Sequence, residues 1–418
     1  MAIDTPARII VLGAGPIGLE AALYGRFLGY DVEVIERGAV AENMRRWGHL
    51  RLFTPFKLNS SPLGIAALRT QDPDWKPPAD ETLLTGRELV EMYLEPLAAS
   101  DLLADSMHLG TEVLAIGRAG PLKHELVKDE SRGDFLFRVL TRDAAGQERV
   151  AEADIVIDAS GTYGRHNGLG QGGIPASGEP AAANRIEYGL PDPLGDERAL
   201  YAGAHTLVVG DGYAAAATIV ALSQLASEAS GTRIAWITRP RLDEQEVAEP
   251  IQTVSNDPHP PRDRLLRAAN AIATDGRQVD YLAETTIELV RWQEEIQQLA
   301  VVTAGKHAGA HVFDRIVADV GHAPDQRLYE QLQVQPCYAT GALKKLGPML
   351  MKAQTRQEQP THLPGALIQR EPNFYVLGAK SYGHDPRFLL SIGLEQIREL
   401  FAIIGDREGL NLYQSIGV

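Results

Sequence analysis

Cysteine is what this sequence has least of: among 418 residues there is one, Cys337. A single thiol excludes an internal disulfide framework, and it excludes any electron relay that needs two thiols side by side. Long hydrophobic runs are missing as well. Nowhere do the roughly 18 consecutive apolar residues of a membrane span occur, and the first apolar stretch, Ile9 to Leu12, breaks at once into Gly13-Ala14-Gly15 with no basic leader or cleavage-site pattern. Basic charge is scarce: 40 Lys and Arg against 55 Asp and Glu leave a formal charge of −15. That background repels phosphate backbones and anionic lipid surfaces. The expectation is therefore a cytoplasmic protein with no nucleic-acid or membrane partner and no metal centre.

What is present is apolar material and glycine, 44% hydrophobic residues and 40 glycines, enough for a large core in two or three domains. Arg8 to Leu12 reads as a buried strand, Pro16 to Leu28 as a helix closed by Gly29, and Asp31 to Glu36 as a second strand. Thr85 opens an amphipathic helix running to Leu97. Strands are expected at Glu112–Ile116, Phe135–Thr141 and Asp154–Ala159. From Gly161 to about Asp196 the chain is loaded with Gly and Pro and reads as a long interdomain connection. His205–Gly210 then repeats the opening pattern of strand, Gly-rich turn and helix, with Arg233–Thr238 as its second strand. A Pro-rich, acidic segment from Pro240 to Arg262 interrupts this unit. Strands follow at Thr285–Arg291, Leu299–Thr303, Arg315–Val320 and Asn373–Ala379, and a helix at Phe388–Ile403.

The chemistry lies in the two turns. Gly13-Ala14-Gly15-Pro16-Ile17-Gly18 sits between strand and helix, with Glu36 at the end of the next strand. Gly13 permits the tight turn, Gly15 lets backbone approach a pyrophosphate, and Gly18 lets helix pack on strand. The helix N-terminus supplies amide donors and the positive end of a dipole. Glu36 can accept hydrogen bonds from a ribose diol, and Arg37 follows it. The second turn reads Gly210-Asp211-Gly212-Tyr213-Ala214-Ala215, with Ala215 in the third small position. Its second strand ends in Thr238-Arg239, and a guanidinium there can pair with a ribose 2′-phosphate that a carboxylate would repel. NADPH is therefore expected over NADH. An Arg at a strand end as a merely solvated residue is the alternative.

Two such units in this order resemble the two-dinucleotide-binding-domain flavoproteins, which include thioredoxin reductases, bacillithiol disulfide reductases, flavin-containing monooxygenases and N-hydroxylating monooxygenases. The resemblance covers nearly the whole chain. It implies an α/β fold of two Rossmann-like domains, with the NADPH domain inserted into a discontinuous FAD domain: residues 1–195 and 315–418 for FAD, 196–314 for the nicotinamide. Within it, Ile155 to Gly161 is similar to the family's apolar strand ending in Ala-Thr-Gly, which makes Ser160 and Gly161 expected cofactor contacts. Ile316–Gly321 followed by His322-Ala323-Pro324 resembles a second copy. Asn373–Gly378 is similar to the strand that meets the flavin ribityl chain, so Gly378 and Ala379 join the expected FAD contacts, although the family's usual Asp is replaced by Ala379.

The departures bear on activity. The Cys pair of thioredoxin reductases is missing, and Ile17 stands where the bacillithiol reductase pattern has Cys. The monooxygenase run of aromatic, Gly and His is mis-spaced in Tyr201–His205, and Asp158 occupies an apolar slot. Three activities stay open: a monooxygenase oxygenating a nucleophilic nitrogen, sulfur or carbonyl substrate, which the missing dithiol favours; a reductase of a quinone or disulfide-type acceptor; and a cofactor-binding redox sensor. The substrate is expected to be a small molecule, and the chain is a candidate homodimer. No catalytic residue is identified. His384, Tyr382 and Trp47 are the side chains expected nearest a flavin, Trp47 because the segment Glu42–Gly64 crowds Trp47, His49, Phe53, Phe56 and Asn59 together, a crowding that an ordinary aromatic-rich surface explains equally well.

Overall fold

The computed structural model describes residues 3–240, 249–253, 257–352 and 365–415. The chain runs β1 (Arg8–Leu12), α1 (Pro16–Phe27), β2 (Asp31–Ile35), α2 (Pro62–Gln71), β3 (Met107–His108), β4 (Glu112–Arg118), β5 (Phe137–Arg142), β6 (Glu148–Ala153) and β7 (Ile155–Asp158). It continues through β8 (Ile186–Glu187), β9 (His205–Val209), α3 (Tyr213–Glu228), β10 (Arg233–Ile237), α4 (Pro260–Asp275), β11 (Val279–Leu282), β12 (Thr285–Gln293), β13 (Gln298–Gly305), β14 (Gly309–Phe313) and β15 (Arg315–Ala318). It closes with β16 (Phe374–Val376) and α5 (Leu390–Ile404).

These elements form two units, residues 1–165 with 323–418, and residues 166–322. Each is built alike. The first has a five-stranded sheet in the order β16-β7-β1-β2-β3 and a three-stranded sheet β4-β5-β6; the second has β11-β10-β9-β15-β8 and β12-β13-β14. The large sheets are parallel and the small ones antiparallel. Parallel strands covered on both faces need continuous apolar runs, and β1 and β9 are such runs: Ile9, Ile10, Val11, Leu207 and Val208 are fully buried. Inside the first unit α1 packs against α5, with Tyr24 stacked on Phe401 at 5.0 Å between ring centroids.

The boundaries between units differ from the sequence expectation of 195/196 and 314/315. Residues 166–195 and 315–322 belong to the second unit. The reason is pairing that sequence patterning does not register: β8 adds to the sheet edge beside β15, Ile186 opposite Ile316. The Gly- and Pro-rich stretch is also no open connection. The buried Glu179 carboxylate gathers it, accepting from the amides of Leu169 and Ala176 at 3.0 and 2.7 Å and from the Tyr188 hydroxyl at 2.7 Å. Gly170 and Ser177 bridge to β12.

A second difference concerns Pro240–Arg262. Residues 241–248 and 254–256 lie outside the described residues, but its end is helical, because α4 starts at Pro260. Prolines in the first turn of a helix lose no hydrogen bond, since those amides have no partner inside the helix. Strands β6, β11 and β14, and the helices α2 and α4, also lie where the sequence patterning marks none.

Candidate functional site: two glycine turns

In the first unit the turn after β1 is shaped by what its glycines lack. Gly13 has φ +97°, and a Cβ there would stand 2.9 Å from Ala159 O and from the Ser160 Cα. A Cβ on Gly18 would stand 1.9 Å from Gly13 O, which backbone cannot tolerate. Gly15 is different: a Cβ there meets nothing within 4 Å. Its hydrogen therefore faces open space. Gly15 is also the N-cap of α1, with no side chain capping it and Pro16 at the first position. The amides of such a helix start have no partner inside the helix, and the dipole there favours an anion.

Glu36, half-buried, closes the turn. One carboxylate oxygen accepts from Ala14 N at 3.0 Å and the other from Gly38 N at 2.9 Å. Each oxygen keeps a further lone pair for a hydroxyl. The neighbouring Arg37 is exposed. Ile17 is 6% exposed and packs on the missing side chains of Gly378 and Gly393, where added Cβ atoms would stand 3.5 and 2.2 Å from it. It holds the start of α1 against β16 and α5.

At the carboxyl edge of this sheet the residues after β7 and β16 meet. Gly378, φ +71°, donates its amide to the buried Gln396 at 2.9 Å, and half-buried Ala379 follows. Lys380, also buried, places its ammonium 2.6 Å from Asp158 Oδ2 and 3.0 Å from Ser160 Oγ. Half-buried Gly161 follows with φ +72°. Sequence reading identified Asp158 as misplaced in an apolar strand and missed its partner. The misfit was the signal: a carboxylate in a buried strand requires a cation or donors nearby.

The other sequence candidates are distributed. Trp47 is half-buried against the core, and a Cβ on Gly86 would stand 2.7 Å from its ring. Phe56 lies buried edge-on to Tyr93, at 5.6 Å, and Asn59 bonds back to the carbonyls of Thr54 and Pro55; both build the fold of their own segment. Tyr382 is 1% exposed against Phe388, and burial pushes its hydroxyl up to about 12. His384 is exposed, and its amide bonds Thr340 O at 2.9 Å. Cys337 is 7% exposed and packs on Gly347, with hydrogen bonds from Thr340 holding its thiol below the usual value.

The second unit repeats the turn. A Cβ on Gly210 would stand 2.2 Å from Asp319 O, whereas one on Gly212 meets nothing within 4 Å. Gly212 is the N-cap of α3, again without a side-chain cap, and Tyr213 and Ala214 begin that helix with Ala215 fully buried. The Thr238 hydroxyl pairs with that of Tyr281 at 2.8 Å. Arg239 is exposed and lies 3.4 Å from Asp211. Burial raises the Asp319 carboxyl to about 7, with a hydrogen bond from Thr218 at 2.8 Å opposing the rise.

No protein-family model matches the chain, and no curated protein sequence does. Solved structures do. Bacillithiol disulfide reductase Bdr from Bacillus cereus superposes with a TM-score of 0.67 at 15% identity, over 96% of this chain and 99% of the other. The chain has the fold of that reductase. That fold is shared with the cadaverine monooxygenase DfoA from Erwinia amylovora, solved bound to FAD, at a TM-score of 0.60 and 16% identity over 98% and 96% of the chains. Reduced ornithine hydroxylase PvdA from Pseudomonas aeruginosa matches at 0.58 and 15%, over 96% and 99%. Among the described residues no helix is long and apolar enough to cross a membrane.

Proposed function

We propose that this chain is an FAD-dependent oxidoreductase that draws electrons from NADPH and oxygenates a small nucleophilic substrate. The observation that carries the cofactor reading is the pair of turns in which one glycine hydrogen, at Gly15 and at Gly212, faces open space beside an uncapped helix start. Glu36 suits the ribose of FAD. Arg239 suits a 2′-phosphate. When bound, the flavin supplies the two-electron chemistry, and the protein supplies binding, orientation and a dry environment. In the first unit Gly13, Gly15, Pro16, Ile17, Gly18, Glu36, Arg37, Trp47, Ser160, Gly161, Gly378 and Ala379 would hold FAD. In the second, Gly210, Gly212, Tyr213, Ala214, Ala215, Thr238 and Arg239 would hold NADPH.

Oxygenation is favoured because the sequence contains a single cysteine, buried and packed on Gly347, so no dithiol can carry electrons onward. The competing reading, direct reduction of a quinone or disulfide-type acceptor, is favoured by the mis-spaced Tyr201–His205 segment. Rapid mixing separates them. The FAD-loaded protein is reduced with NADPH, oxygen is admitted, and flavin absorbance and released hydrogen peroxide are followed. Oxygen uptake that runs ahead of the return of oxidised flavin, with peroxide released only as that flavin spectrum returns, supports the oxygenase. Fast reoxidation with stoichiometric peroxide, or electron transfer to added quinone, supports the reductase.

A further inference from the structure

Asp158 is the last residue of β7, aligned with Leu12 in β1 and Val376 in β16. It is fully buried, and so is the Lys380 side chain that pairs with it at 2.6 Å. Burying two charges carries a desolvation penalty of several kcal/mol per ion, and an apolar pair of similar size often stabilises a fold as well. Stability alone therefore does not account for this pair. Its geometry does have a consequence for a third residue. Ser160 donates its amide to Asp158 Oδ1 at 3.1 Å and its hydroxyl to the same oxygen at 2.6 Å, while Lys380 Nζ stands 3.0 Å from Ser160 Oγ, with the Tyr329 ring 5.2 Å from the ammonium.

A hydroxyl has one proton and two lone pairs. In Ser160 the proton is committed to a carboxylate and one lone pair to an ammonium, so the remaining position can only accept. Ser160 is half-buried, whereas both of its charged partners are buried. It also borders the first glycine turn, since a Cβ on Gly13 would stand 2.9 Å from the Ser160 Cα. We propose that Asp158 and Lys380 are positioning residues that fix Ser160 Oγ as a hydrogen-bond acceptor for a sugar or polyol hydroxyl of the dinucleotide bound in that turn. This rests on the FAD reading of the first unit.

The test measures FAD affinity of the full-length apoprotein by flavin fluorescence, together with the melting temperature of the FAD-free protein. Ser160→Ala should weaken FAD binding about tenfold, the scale of one lost hydrogen bond, in an apoprotein that still folds but melts lower because Asp158 and Lys380 each lose a partner, and Ser160→Thr should restore affinity. Asp158→Asn or Lys380→Met alone leaves one buried charge uncompensated, so the two are combined. The neutral pair should fold and show the same weakening, and adding Ser160→Ala to it should cost nothing further, because coupled residues are not additive. Wild-type affinity in Ser160→Ala, or a full tenfold cost of Ser160→Ala in the neutral-pair background, would overturn the proposal. A wild-type chain that does not bind FAD would instead overturn the cofactor reading beneath it, and is recognised before any variant is made.

Discussion

Asp211, inside the second glycine turn, lies 3.4 Å from Arg239 at the end of the following strand, and Arg239 is 78% exposed in its side chain while Asp211 is 27% exposed. The pair holds a guanidinium beside the turn at little energetic value of its own, as exposed pairs do. A 2′-phosphate brings a stronger, bidentate partner. Arg239→Ala is therefore expected to raise the KM for NADPH about tenfold or more while leaving that for NADH within about twofold, and Asp211→Asn to lower the KM for NADPH. Steady-state kinetics with both nucleotides decides it. Equal effects on the two would remove NADPH selectivity from Arg239.

Gly15 and Gly18 lie in one turn but for different reasons. Gly15→Ala has room for its methyl and an ordinary backbone, φ −80°, so the variant should fold with an unchanged melting point yet bind FAD at least about tenfold more weakly, because the methyl keeps the pyrophosphate off the helix start. Gly18→Ala should fail to fold, its Cβ colliding with Gly13 O at 1.9 Å. Thermal melting and FAD titration of both variants separate the two roles. Gly212→Ala should act on nicotinamide binding as Gly15→Ala acts on FAD.

Glu371 is buried between two guanidinia, with Arg118 Nε at 2.8 Å and Arg132 Nε at 3.1 Å, and it also accepts from Gln333 N at 2.7 Å. These contacts tie the β4 and β5 region to the chain entering β16. Removing the carboxylate leaves two buried cations without a counter-charge, so Glu371→Gln is expected to destabilise the fold by about 3–5 kcal/mol. Arg138→Ala, which breaks the exposed Arg138–Glu152 pair, should change stability by no more than about 1 kcal/mol. Urea unfolding of both variants gives the comparison.

Glu20 on α1 is 3% exposed, and desolvation raises its carboxyl from 4.5 to about 7, against lowering hydrogen bonds with Ser61 and Tyr413. The folded protein thus holds this proton more tightly than the unfolded chain does. Its contribution to stability is fully present below pH 4.5 and is lost as pH rises to about 7. Glu20→Gln imitates the protonated form. The variant should match wild type near pH 4.5 and exceed it by about 3 kcal/mol at pH 8, on the scale of 1.36 kcal/mol per pKa unit. Unfolding measured at both pH values checks the sign, and a wild type that gains stability across that interval contradicts it.

The sequence by itself determined the two strand–turn–helix units. Their chemistry is local: an apolar run, glycines at fixed offsets, and an acidic or basic residue closing the next strand, all within about 30 residues. Only the tertiary structure decided where the units divide, because β8 joins the second sheet through Ile316 and Glu179 gathers its stretch through amides and a phenol. The helix from Pro260 was hidden because its two prolines resemble breakers until their place at a helix start is known. Asp158 showed the limit most clearly. Its charge in an apolar strand demanded a partner, but Lys380 lies 220 residues beyond Ser160 in the chain and reaches it only because β16 returns to pair with β7. Periodicity reports which face of an element is buried, and cannot report which distant charge arrives there.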